Sequence, residues 1–447
     1  MAERAGIILA AGEGKRMKSA KSKVMHMIAG RPILGHVIGA MRAAGIDTIV
    51  VVTSRDGDEV RDYAASLGGQ SVIQEQQLGT GHAAACAAPL LESFSGPLVV
   101  TYGDMPLVTG ELFEKSFDTQ ARLGMAIVAF LSASKAYGRV ICDHHGVLDR
   151  IVEYRDANAK EREVKLCNAG IMAADAKSFF HWAAKLENDN DQHEFYLTDI
   201  PNFARRENVR CGVVEVAEEM AIGVNSRREL AICEAAMQAR LRGHALDNGA
   251  GMTAPDTVFL SFDTVLESDS QIGPYVIFGP GVTVKSGAEI RAFSHLEGAT
   301  VAGGAIVGPY ARLRPATVVA ENVHIGNFVE VKNSRIEKGA KANHLAYLGD
   351  ARVGADSNIG AGTITCNYDG FDKYQTDIGA GVFIGSDTAL VAPVKVGDGA
   401  YVGAGSVVTQ DVGKDALAVT RAEQKEVAGW AEKFRTRKKA EKARKGK

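Results

Sequence analysis

The sequence predicts an α/β domain joined by a helix to a parallel β-solenoid of six-residue repeats. In the first half, apolar strand-like runs alternate with helical stretches, as they do in α/β domains. From about residue 260 to 408, aliphatic residues recur every six positions, a period that fits neither a helix nor a hairpin strand. We therefore predict an α/β domain at 1–227, a helical linker at 228–248 and a solenoid domain with a basic tail at 249–447.

Length and composition agree with this division and exclude several classes of protein. A chain of 447 residues is expected to form two or three domains. The net charge of −3 gives no overall field for nucleic acid, so we expect no nucleic-acid partner. The six cysteines are scattered and form no CxxC pair, which predicts reduced thiols in a cytoplasmic protein. No apolar run approaches the roughly 18 residues of a membrane helix, so no membrane insertion is expected.

The elements of the first half can be placed from their patterns. Strands are predicted at residues 5–10, 48–53 and 98–102, and helices at 33–44 and 81–91. Residues 228–248 have helical spacing and few helix breakers, which predicts the connecting helix.

The solenoid prediction rests on three runs of apolar residues, each with a spacing of six. Three hexapeptides, about eighteen residues, should make one turn, and successive turns should stack about 4.8 Å apart. The three runs are Leu260, Leu266, Ile272, Phe278, Val284, Ile290 and Leu296; Val307, Leu313, Val319, Ile325 and Val331; and Ile378, Ile384, Leu390, Val396, Val402 and Val408.

A short helix is predicted after Arg421, followed by a solvated, disordered tail. The last fifteen residues carry nine Lys or Arg. Such a run would suit nucleic acid or an anionic surface, but a charge run is most often solvated.

A glycine-containing loop follows the first predicted strand, in the run I-L-A-A-G-E-G-K-R-M at residues 8–17. Glycines after a strand let backbone N–H groups approach phosphates, and Arg16 and Lys23 can contact triphosphate oxygens. Two other positions suggest a nucleotide site. The amide of Gln74 can read the edge of a pyrimidine base. Asp104 ends an apolar strand, where a carboxylate could bind Mg²⁺ or simply cap a turn.

This half of the chain resembles the sugar-nucleotide pyrophosphorylases, whose signature is L-A-A-G-x-G-T-R-M…P-K, although Lys15 and Ser22 replace the Thr and the Pro. The resemblance implies Mg²⁺ held by Asp104 and Asn225, and catalytic roles for Arg16 and Lys23. A phosphate oxygen of the sugar would attack the α-phosphorus of UTP, with positioning and charge neutralisation dominating catalysis. The implied UTP and UDP-sugar contacts are Leu9, Ala10, Ala11, Gly12, Lys23, Gln74, Gly79, Thr80, Tyr102, Gly103, Asp104, Gly138, Glu153, Asn168 and Asn225. Ala169 departs from the usual N-T-G motif, and Glu153 could instead be a solvated charge.

Polar residues interrupt the solenoid pattern between residues 308 and 376. Arg314 and Lys332 are 18 residues apart and should stack on one side of the solenoid, an arrangement suited to a phosphate. His344 follows 12 residues later, and residues 365–376 break the period with a loop. His344 alone would more often be a packed or surface histidine.

The motifs R-L-R-P, N-F-V-E-x-K, H-L-x-Y-L-G-D and N-I-G-A-G-T-I-T-C-N-Y-D-G extend the resemblance to nearly the whole chain. They resemble the bacterial enzymes that combine glucosamine-1-phosphate N-acetyltransferase with N-acetylglucosamine-1-phosphate uridylyltransferase. The resemblance implies a left-handed β-helix and a homotrimer with acetyltransferase sites between subunits. It also implies His344 as general base, since an imidazole exchanges protons near neutral pH. The implied sugar-phosphate contacts are Arg314, Lys332, Tyr347 and Asn358, and the implied acetyl-CoA contacts are Ala361, Asn367, Tyr368, Ser386, Ala404 and Arg421.

The family resemblance implies two consecutive reactions. Acetyl would pass from acetyl-CoA to glucosamine 1-phosphate, and UMP would then pass from UTP to N-acetylglucosamine 1-phosphate. The product would supply peptidoglycan and lipopolysaccharide precursors. Two alternatives remain open, a single-activity pyrophosphorylase with a regulatory solenoid and a non-catalytic trimeric scaffold. The family motif continues R-L-R-P-G, where this chain has Ala316, and the surroundings of Arg421 match only in part.

Overall fold

A computed structural model describes residues 3–12, 14–134, 137–190 and 192–444. The chain forms two compact units. Unit 1 comprises Met1–Asp247 and Phe259–Asp263, and unit 2 comprises Asn248–Val258 and Thr264–Lys447. No helix in the described ranges is both long and apolar enough to cross a membrane.

Unit 1 is built on a mixed sheet of nine strands, in the order β11-β7-β10-β6-β1-β4-β5 with the hairpin β8–β9 beside β10. Strand β10 runs antiparallel to β6 and β7, whereas β1 runs parallel to β4 and β6. The strands of unit 1, including a separate two-stranded ribbon β2–β3, are β1 Ala5–Leu9, β2 Met27–Ile28, β3 Arg31–Pro32, β4 Thr48–Thr53, β5 Gln70–Ile73, β6 Pro97–Tyr102, β7 Gly124–Leu131, β8 Arg139–Cys142, β9 Leu148–Val152, β10 Leu166–Asp175 and β11 Arg210–Val216.

The helices of unit 1 cover both faces of this sheet. Alternate residues of β1 therefore enter different cores, Ile8 on one face and Ile7 and Leu9 on the other. Burial on both faces explains why the central strands are continuously apolar. The α-helices are α1 Ile33–Ala43, α2 Asp58–Ser66, α3 Thr80–Ala85, α4 Gly110–Leu123, α5 Ala159–Arg162, α6 Ala176–Ala183, α7 Ile200–Arg206 and α8 Arg227–Asp247. Short 3-10 helices lie at Lys15–Met17, Lys23–Met25, Ala88–Leu91, Leu197–Asp199, Glu218–Ala221 and, in unit 2, Pro255–Thr257.

One predicted helix of unit 1 is shorter than expected. The predicted helix at 81–91 ends at Ala85, and a 3-10 turn at Ala88–Leu91 replaces its second half. Pro89 lacks the N–H that a continuing α-helix would need, which explains the interruption.

Helix α8 belongs to unit 1 and packs against the rest of it through a small apolar cluster that contains Cys233 and Met237. Gln238 also binds the backbone of Leu260 on both sides, donating to its carbonyl at 2.7 Å and accepting from its N–H at 2.8 Å. Leu260, the first member of the predicted run of sixes, is therefore buried in unit 1 and lies outside the solenoid coils.

Unit 2 is a solenoid of short strands that form three parallel sheets. Their orders are β12-β14-β17-β20-β23-β26-β29-β32-β35-β37, β13-β16-β19-β22-β25-β28-β31-β34 and β15-β18-β21-β24-β27-β30-β33-β36. The strands are β12 Gly251–Met252, β13 Val265–Leu266, β14 Gln271–Ile272, β15 Ile277–Phe278, β16 Thr283–Val284, β17 Glu289–Ile290, β18 His295–Leu296, β19 Ala299–Val301, β20 Ile306–Val307, β21 Arg312–Leu313, β22 Thr317–Val319, β23 His324–Asn327, β24 Glu330–Lys332, β25 Arg335–Ile336, β26 Lys341–His344, β27 Tyr347–Gly349, β28 Ala351–Val353, β29 Asn358–Ile359, β30 Ile364–Cys366, β31 Thr376–Ile378, β32 Phe383–Ile384, β33 Ala389–Val391, β34 Val394–Val396, β35 Tyr401–Val402, β36 Val407–Val408 and β37 Leu417–Ala418.

The predicted repeat sets the register of these coils. Leu266 pairs with Val284 and Val307 pairs with Ile325, one turn of eighteen residues in each case. From Leu266 onward, every residue of the predicted runs is buried in the solenoid core. Val353 pairs with Ile378, 25 residues away, because the extra loop is inserted in this turn.

The predicted disordered tail is wrong for most of its length, because helix α9 runs over Trp430–Arg444. Lys, Arg, Ala and Glu are strong helix formers, and Glu441 pairs with Lys438 at 2.9 Å one turn earlier. The rings of Trp430 and Phe434 also stack, with their centroids 5.0 Å apart. All the residues of α9 are exposed, as the charge pattern predicts, and residues 445–447 lie outside the described part.

A core leucine tests the solenoid packing. Leu296→Ala should lower the free energy of unfolding by about 2–5 kcal/mol, because it leaves a cavity in a closely packed interior. Chemical denaturation monitored by far-UV circular dichroism measures the effect. The matched control is Leu417→Ala. Because Leu417 is 71% exposed, this substitution should lower the free energy of unfolding far less. Equal losses for the two variants would contradict the assigned core.

Candidate active sites

A cavity in unit 1 has a volume of about 560 Å³, within the usual range for small-molecule sites. It opens at the carboxyl ends of the paired strands β1 and β6, where Leu9 lies in register with Tyr102. Fourteen of the residues predicted for the nucleotide and sugar line it: Leu9, Ala11, Gly12, Arg16, Lys23, Gln74, Gly79, Thr80, Tyr102, Asp104, Gly138, Glu153, Asn168 and Asn225. Ala10 and Gly103 instead pack against each other, and a Cβ atom at Gly103 would lie 3.2 Å from that of Ala10.

The base-reading loop, residues 74–82, begins at Gln74, the residue predicted to read the base, and is held by hydrogen bonds at one end of the cavity. Gln74 is 4% exposed, and its Nε2 lies 3.1 Å from the carbonyl of Gly79 and 3.0 Å from Nδ1 of His82. Two backbone hydrogen bonds to Phe195 also hold this loop. The N–H of Gly81 donates to the Phe195 carbonyl, and the N–H of Phe195 donates to the Leu78 carbonyl. The Gln74 side chain is thus oriented by the protein itself.

Three polar side chains from distant parts of the chain meet in the same cavity. The Lys23 ammonium contacts Oδ2 of Asp104 and lies 3.1 Å from Oδ1 of Asn225. The N–H of Val224 donates to the Asp104 carbonyl at 2.9 Å, which attaches the segment before α8 to the end of β6. Glu229 accepts from the Asn225 N–H at 2.8 Å and so positions it.

The other end of the cavity holds the residues predicted for the sugar. Asn168 donates from its backbone N–H to the Gly138 carbonyl at 2.9 Å. Glu153 is partly buried, and this burial is the main reason why its pKa is raised above the ordinary value. The hydroxyl of Thr198 lies 3.4 Å from the Glu153 carboxylate, an opposing but weaker effect on the pKa.

A tight backbone feature shapes this end of the cavity. The register between β10 and β7 shifts between Asn168 and Met172, and Gly170 has a φ of 75°. A Cβ atom at Gly170 would lie 2.0 Å from the Tyr102 ring. Glycine is therefore required here both by the backbone conformation and by the approach of the ring.

Several residues that line the unit 1 cavity, or support residues that line it, were not predicted from the sequence. Gln77 donates to the Ala11 carbonyl at 2.7 Å, and Glu194, Thr198 and Glu229 contribute to the cavity or its supports. Gln77 lies three residues after Gln74, the residue predicted to read the base, and could have been proposed with it. Glu194 lies in a loop and Thr198 in the short 3-10 helix Leu197–Asp199. Neither segment has a sequence pattern of its own, so only the fold brings these two residues to the cavity.

In unit 2, the predicted phosphate-binding residues lie side by side on one sheet. The Arg314 N–H donates to the Val331 carbonyl at 2.8 Å, which places Arg314 beside Lys332 in the next coil. Lys332 in turn pairs with Gly349, and the Tyr347 ring folds over this glycine. A Cβ atom at Gly349 would lie 2.3 Å from the Tyr347 hydroxyl, so the close contact depends on the missing side chain.

A buried carboxylate, Asp350, organises the surroundings of Lys332. It accepts from the amides of Asn333, at 2.6 Å, and Asn367, and lies 3.9 Å from the Lys332 ammonium. Burial by itself would raise the pKa of Asp350, but the two amides and the nearby ammonium groups outweigh it and lower the pKa.

Lys373 lies beside Lys332, one of the residues predicted to bind phosphate, and was not itself predicted. The loop at 365–376 folds back on itself through a bridge between Tyr368 and Lys373. This turn brings Lys373 to Lys332, and contact with that second ammonium lowers the pKa of Lys373. The loop that interrupts the repeat therefore adds a cation to the predicted phosphate site.

The remaining predicted residues occupy other parts of the solenoid. His344 is exposed, and its Nδ1 lies 3.0 Å from Oδ1 of Asn327, which leaves Nε2 as the outward nitrogen. Asn358 belongs to the same sheet as His344, where it pairs with Lys341 and not with Lys332. Tyr368 is 60% exposed and its hydroxyl donates to the Gly370 carbonyl at 2.6 Å.

Four residues predicted for acetyl-CoA follow one line along successive coils. The Ala361 carbonyl accepts from Asp387, beside Ser386, at 2.7 Å, and the Ser386 carbonyl accepts from Gly405, beside Ala404, at 2.8 Å. Arg421 ends this line by donating to the Ala404 carbonyl at 2.6 Å. Asn367, in contrast, is bound to Asp350 in the phosphate site.

Comparisons with known proteins agree with this architecture. A family model described as a MobA-like NTP transferase domain matches residues 6–167, and one described as bacterial transferase hexapeptide (six repeats) matches residues 376–410. These matches support the predicted nucleotidyltransferase fold and the predicted left-handed β-helix.

Curated relatives match almost the whole chain. The chain is 50% identical over 443 residues to the bifunctional protein GlmU of Paramagnetospirillum magneticum, covering 98% of each chain. It is 52% identical over 435 residues to the bifunctional protein GlmU of Acidiphilium cryptum, covering 96% of this chain and 98% of that protein. The bifunctional protein GlmU of Sphingopyxis alaskensis is 49% identical over 439 residues, with 96% of each chain covered. These matches confirm the predicted family and the predicted two-activity enzyme, and the chain belongs to the family of bifunctional GlmU proteins.

Proposed function

We propose that the unit 1 cavity transfers UMP from UTP to N-acetylglucosamine 1-phosphate, and that the Arg314–Lys332–His344 region makes this substrate by acetylating glucosamine 1-phosphate with acetyl-CoA. In this assignment, residues 1–227 carry the uridylyltransferase and residues 249–447 the acetyltransferase. The convergence of Lys23, Asp104 and Asn225 inside a cavity with a base-reading loop is the observation that carries the first assignment. The enzyme would thereby supply precursors of peptidoglycan and lipopolysaccharide.

In the uridylyltransferase cavity, the nucleotide lies with its base at Gln74 and its phosphates at the glycine loop. Nε2 of Gln74 is already bound by the loop, and its Oε1 has no hydrogen-bond donor among the described residues, so it could accept the N3–H of uracil. The backbone of Gly12 and the side chains of Arg16 and Lys23 surround the phosphate oxygens. Catalysis then depends on holding the attacking phosphate in line with the α-phosphorus and on stabilising the charge of the departing pyrophosphate.

The donor set beside Lys23 suits Mg²⁺. Asp104 supplies a carboxylate and Asn225 an amide oxygen, and both already face one cation, the Lys23 ammonium, which acts as a stand-in for the metal. Among the described residues, no three His, Cys, Asp or Glu side chains form a metal cluster. Mg²⁺ bound here by the two residues and by substrate phosphates would neutralise charge on the triphosphate.

The sugar occupies the opposite end, between Gly138, Glu153 and Asn168. The Glu153 carboxylate can accept from sugar hydroxyls, and Thr198 holds one of its oxygens. Partial burial disfavours the ionised form of Glu153 and raises its pKa, so hydroxyl donors of a bound sugar would replace missing water.

In the acetyltransferase site, Arg314, Lys332, Tyr347 and Asn358 would bind glucosamine 1-phosphate. Arg314, Lys332 and Lys373 would face its phosphate, whereas Asn358 lies on the sheet that carries His344. His344 would accept a proton from the sugar amine as it attacks the thioester, and Asn327 holds the ring by its Nδ1. Acetyl-CoA would lie along Ala361, Ser386 and Ala404 to Arg421, with Asn367 and Tyr368 at the sugar end.

We further propose a cytoplasmic homotrimer, which follows from the family resemblance. The solenoid surface supports an assembly, because four half-exposed aromatic rings stack along one corner with centroids 4.9 to 5.3 Å apart: Tyr275, Phe293, Tyr310 and Phe328. Another copy of the chain would shield such rings from water.

The metal assignment is tested by Asp104→Ala. This variant should lose uridylyl transfer by about 100-fold or more at saturating Mg²⁺, because a preorganised charge beside the phosphates is removed. Coupled detection of pyrophosphate from UTP and N-acetylglucosamine 1-phosphate measures the loss. CoA release from acetyl-CoA and glucosamine 1-phosphate is the internal control and should persist. Near-normal uridylyl transfer would mean that the metal assignment is wrong.

The acetyltransferase assignment is tested by His344→Ala. CoA release should fall by about 10²–10⁴-fold, the usual contribution of a general base. Formation of UDP-N-acetylglucosamine from the acetylated sugar phosphate should remain. Loss of both activities would indicate a damaged assembly, and wild-type protein that releases no CoA would favour a regulatory solenoid.

The partly buried carboxylate of Glu153 predicts a pH-dependent gain in stability when the residue is replaced by glutamine. Its pKa is raised in the folded protein, so its ionisation opposes folding above that pKa and has no effect below the unfolded value of 4.5. The Glu153→Gln variant should therefore melt at a higher temperature than wild type at pH 8. The increase should be about 2–4 °C for each kcal/mol gained in the free energy of unfolding. The difference in melting temperature between the variant and wild type should vanish towards pH 4. Uridylyl transfer to N-acetylglucosamine 1-phosphate should be slower in the variant at both pH values.

Differential scanning calorimetry across this pH range measures the effect. Glu114→Gln is the matched control, because Glu114 is exposed on α4 and should leave the melting temperature unchanged at either pH. A Glu153→Gln melting temperature equal to that of wild type at pH 8 would refute the burial argument.

A further inference from the structure

The Lys23 ammonium occupies the position between Asp104 and Asn225 where the proposed metal would bind. We propose that Lys23 competes with the divalent cation for these two residues in the substrate-free protein, so that the metal gains its ligands only when Lys23 turns to the nucleotide phosphates. This inference rests on the proposed uridylyltransferase function and adds a mechanism that couples metal binding to nucleotide binding.

The contacts of Lys23 carry the first step. Its Nζ contacts Oδ2 of Asp104 and lies 3.1 Å from Oδ1 of Asn225, the two oxygens assigned to the metal. The Lys23 and Asp104 side chains are only 15% and 11% exposed. A largely buried ion pair is weakly screened by solvent, so a second cation cannot share this carboxylate without strong repulsion.

The anchoring of Lys23 explains why the ammonium can change partners. Its backbone begins the 3-10 helix Lys23–Met25, whose other two side chains are buried and hold it in place. Its aliphatic stem crosses the glycine loop, since a Cβ atom at Gly14 would lie 3.0 Å from the Cβ of Lys23. A Cβ atom at Gly12 would lie 3.7 Å from Nζ of Lys23. The ammonium therefore lies next to the loop assigned to the phosphates, and bond rotations at the end of a fixed stem would transfer it.

Two ligands that act on one side chain are thermodynamically coupled. Phosphates stabilise the conformation in which Lys23 has left Asp104, and that conformation is the one in which the metal can bind. By reciprocity, the metal must favour nucleotide binding by the same factor. Without phosphates, the protein offers the metal one carboxylate and one amide that are already in use, and its affinity for free metal should be low.

Metal binding to the substrate-free, full-length protein tests the inference without any activity measurement. Free Mn²⁺ can be titrated by electron paramagnetic resonance for wild type and for Lys23→Met. The variant should bind one Mn²⁺ per chain roughly tenfold or more tightly than wild type, because a charge-assisted competitor is removed. Adding Asp104→Asn to Lys23→Met should abolish the added affinity.

Lys21→Met is the matched control. It removes a lysine two residues away whose ammonium lies 3.7 Å from Glu59 and not beside Asp104. Its Mn²⁺ affinity should equal that of wild type. If Mn²⁺ affinity rose equally in Lys23→Met and Lys21→Met, the loss of one positive charge would explain the increase, and the inference would be overturned.

A second measurement covers the case in which Lys23→Met is poorly folded. Crystals of the wild-type protein soaked in Mn²⁺ would show, by anomalous scattering, whether the metal reaches Asp104 and where Lys23 then lies. Displacement of Lys23 from Asp104 at the metal-bound sites supports the inference. Metal at Asp104 with Lys23 still paired to it, or equal Mn²⁺ affinity of wild type and a folded Lys23→Met, overturns it.

These outcomes are distinguishable from failure of the proposed function. If the protein forms UDP-N-acetylglucosamine but Lys23→Met leaves its Mn²⁺ affinity unchanged, only the proposed competition between Lys23 and the metal is refuted. A protein whose Mn²⁺ affinity rises in Lys23→Met but that forms no sugar nucleotide would refute only the proposed function.

Discussion

Parallel strand pairing is the constraint from which both candidate sites follow. In unit 1, the pairing of β1 with β6 places the glycine loop after Leu9 beside the turn after Tyr102, which carries Asp104. In unit 2, the pairing of successive coils places Lys332 beside Gly349, the glycine over which the Tyr347 ring folds. In both units, residues far apart in the chain meet because parallel strands end at the same edge or repeat at the same position.

Charge is handled differently in the two sites. In unit 1, the largely buried Lys23 and Asp104 compensate each other, which avoids the cost of an isolated buried charge. In unit 2, Asp350 accepts two amide hydrogen bonds and faces the ammonium of Lys332, so its pKa is lowered despite burial. Around it, Lys332 and Lys373 lie close enough to lower the pKa of Lys373. A dianionic phosphate would relieve that repulsion, which gives this site a physical preference for such a ligand.

The regular features of the structure could be predicted because they depend on short-range patterns. The period of six marks the buried side of each coil, and Leu313 and Val331 occupy the core as the spacing predicts. Predictions were less accurate where local preferences compete. Pro89 interrupts a helix that the apolar spacing favours, and the basic C-terminal segment forms a helix because its charged residues are also strong helix formers.

By itself, the sequence determined the two folds, the division of polar motifs between them and most of the residues that line the unit 1 cavity. Motifs such as the glycine loop and the hexapeptide runs are local, so their chemistry can be read without coordinates. Only the tertiary structure decided that Lys373 joins Lys332, that Thr198 contacts Glu153, and that Lys23 lies between Asp104 and Asn225. Each of these contacts joins segments whose separation in the chain carries no periodic signal, and they meet only because the strands between them pair and the loops between those strands close.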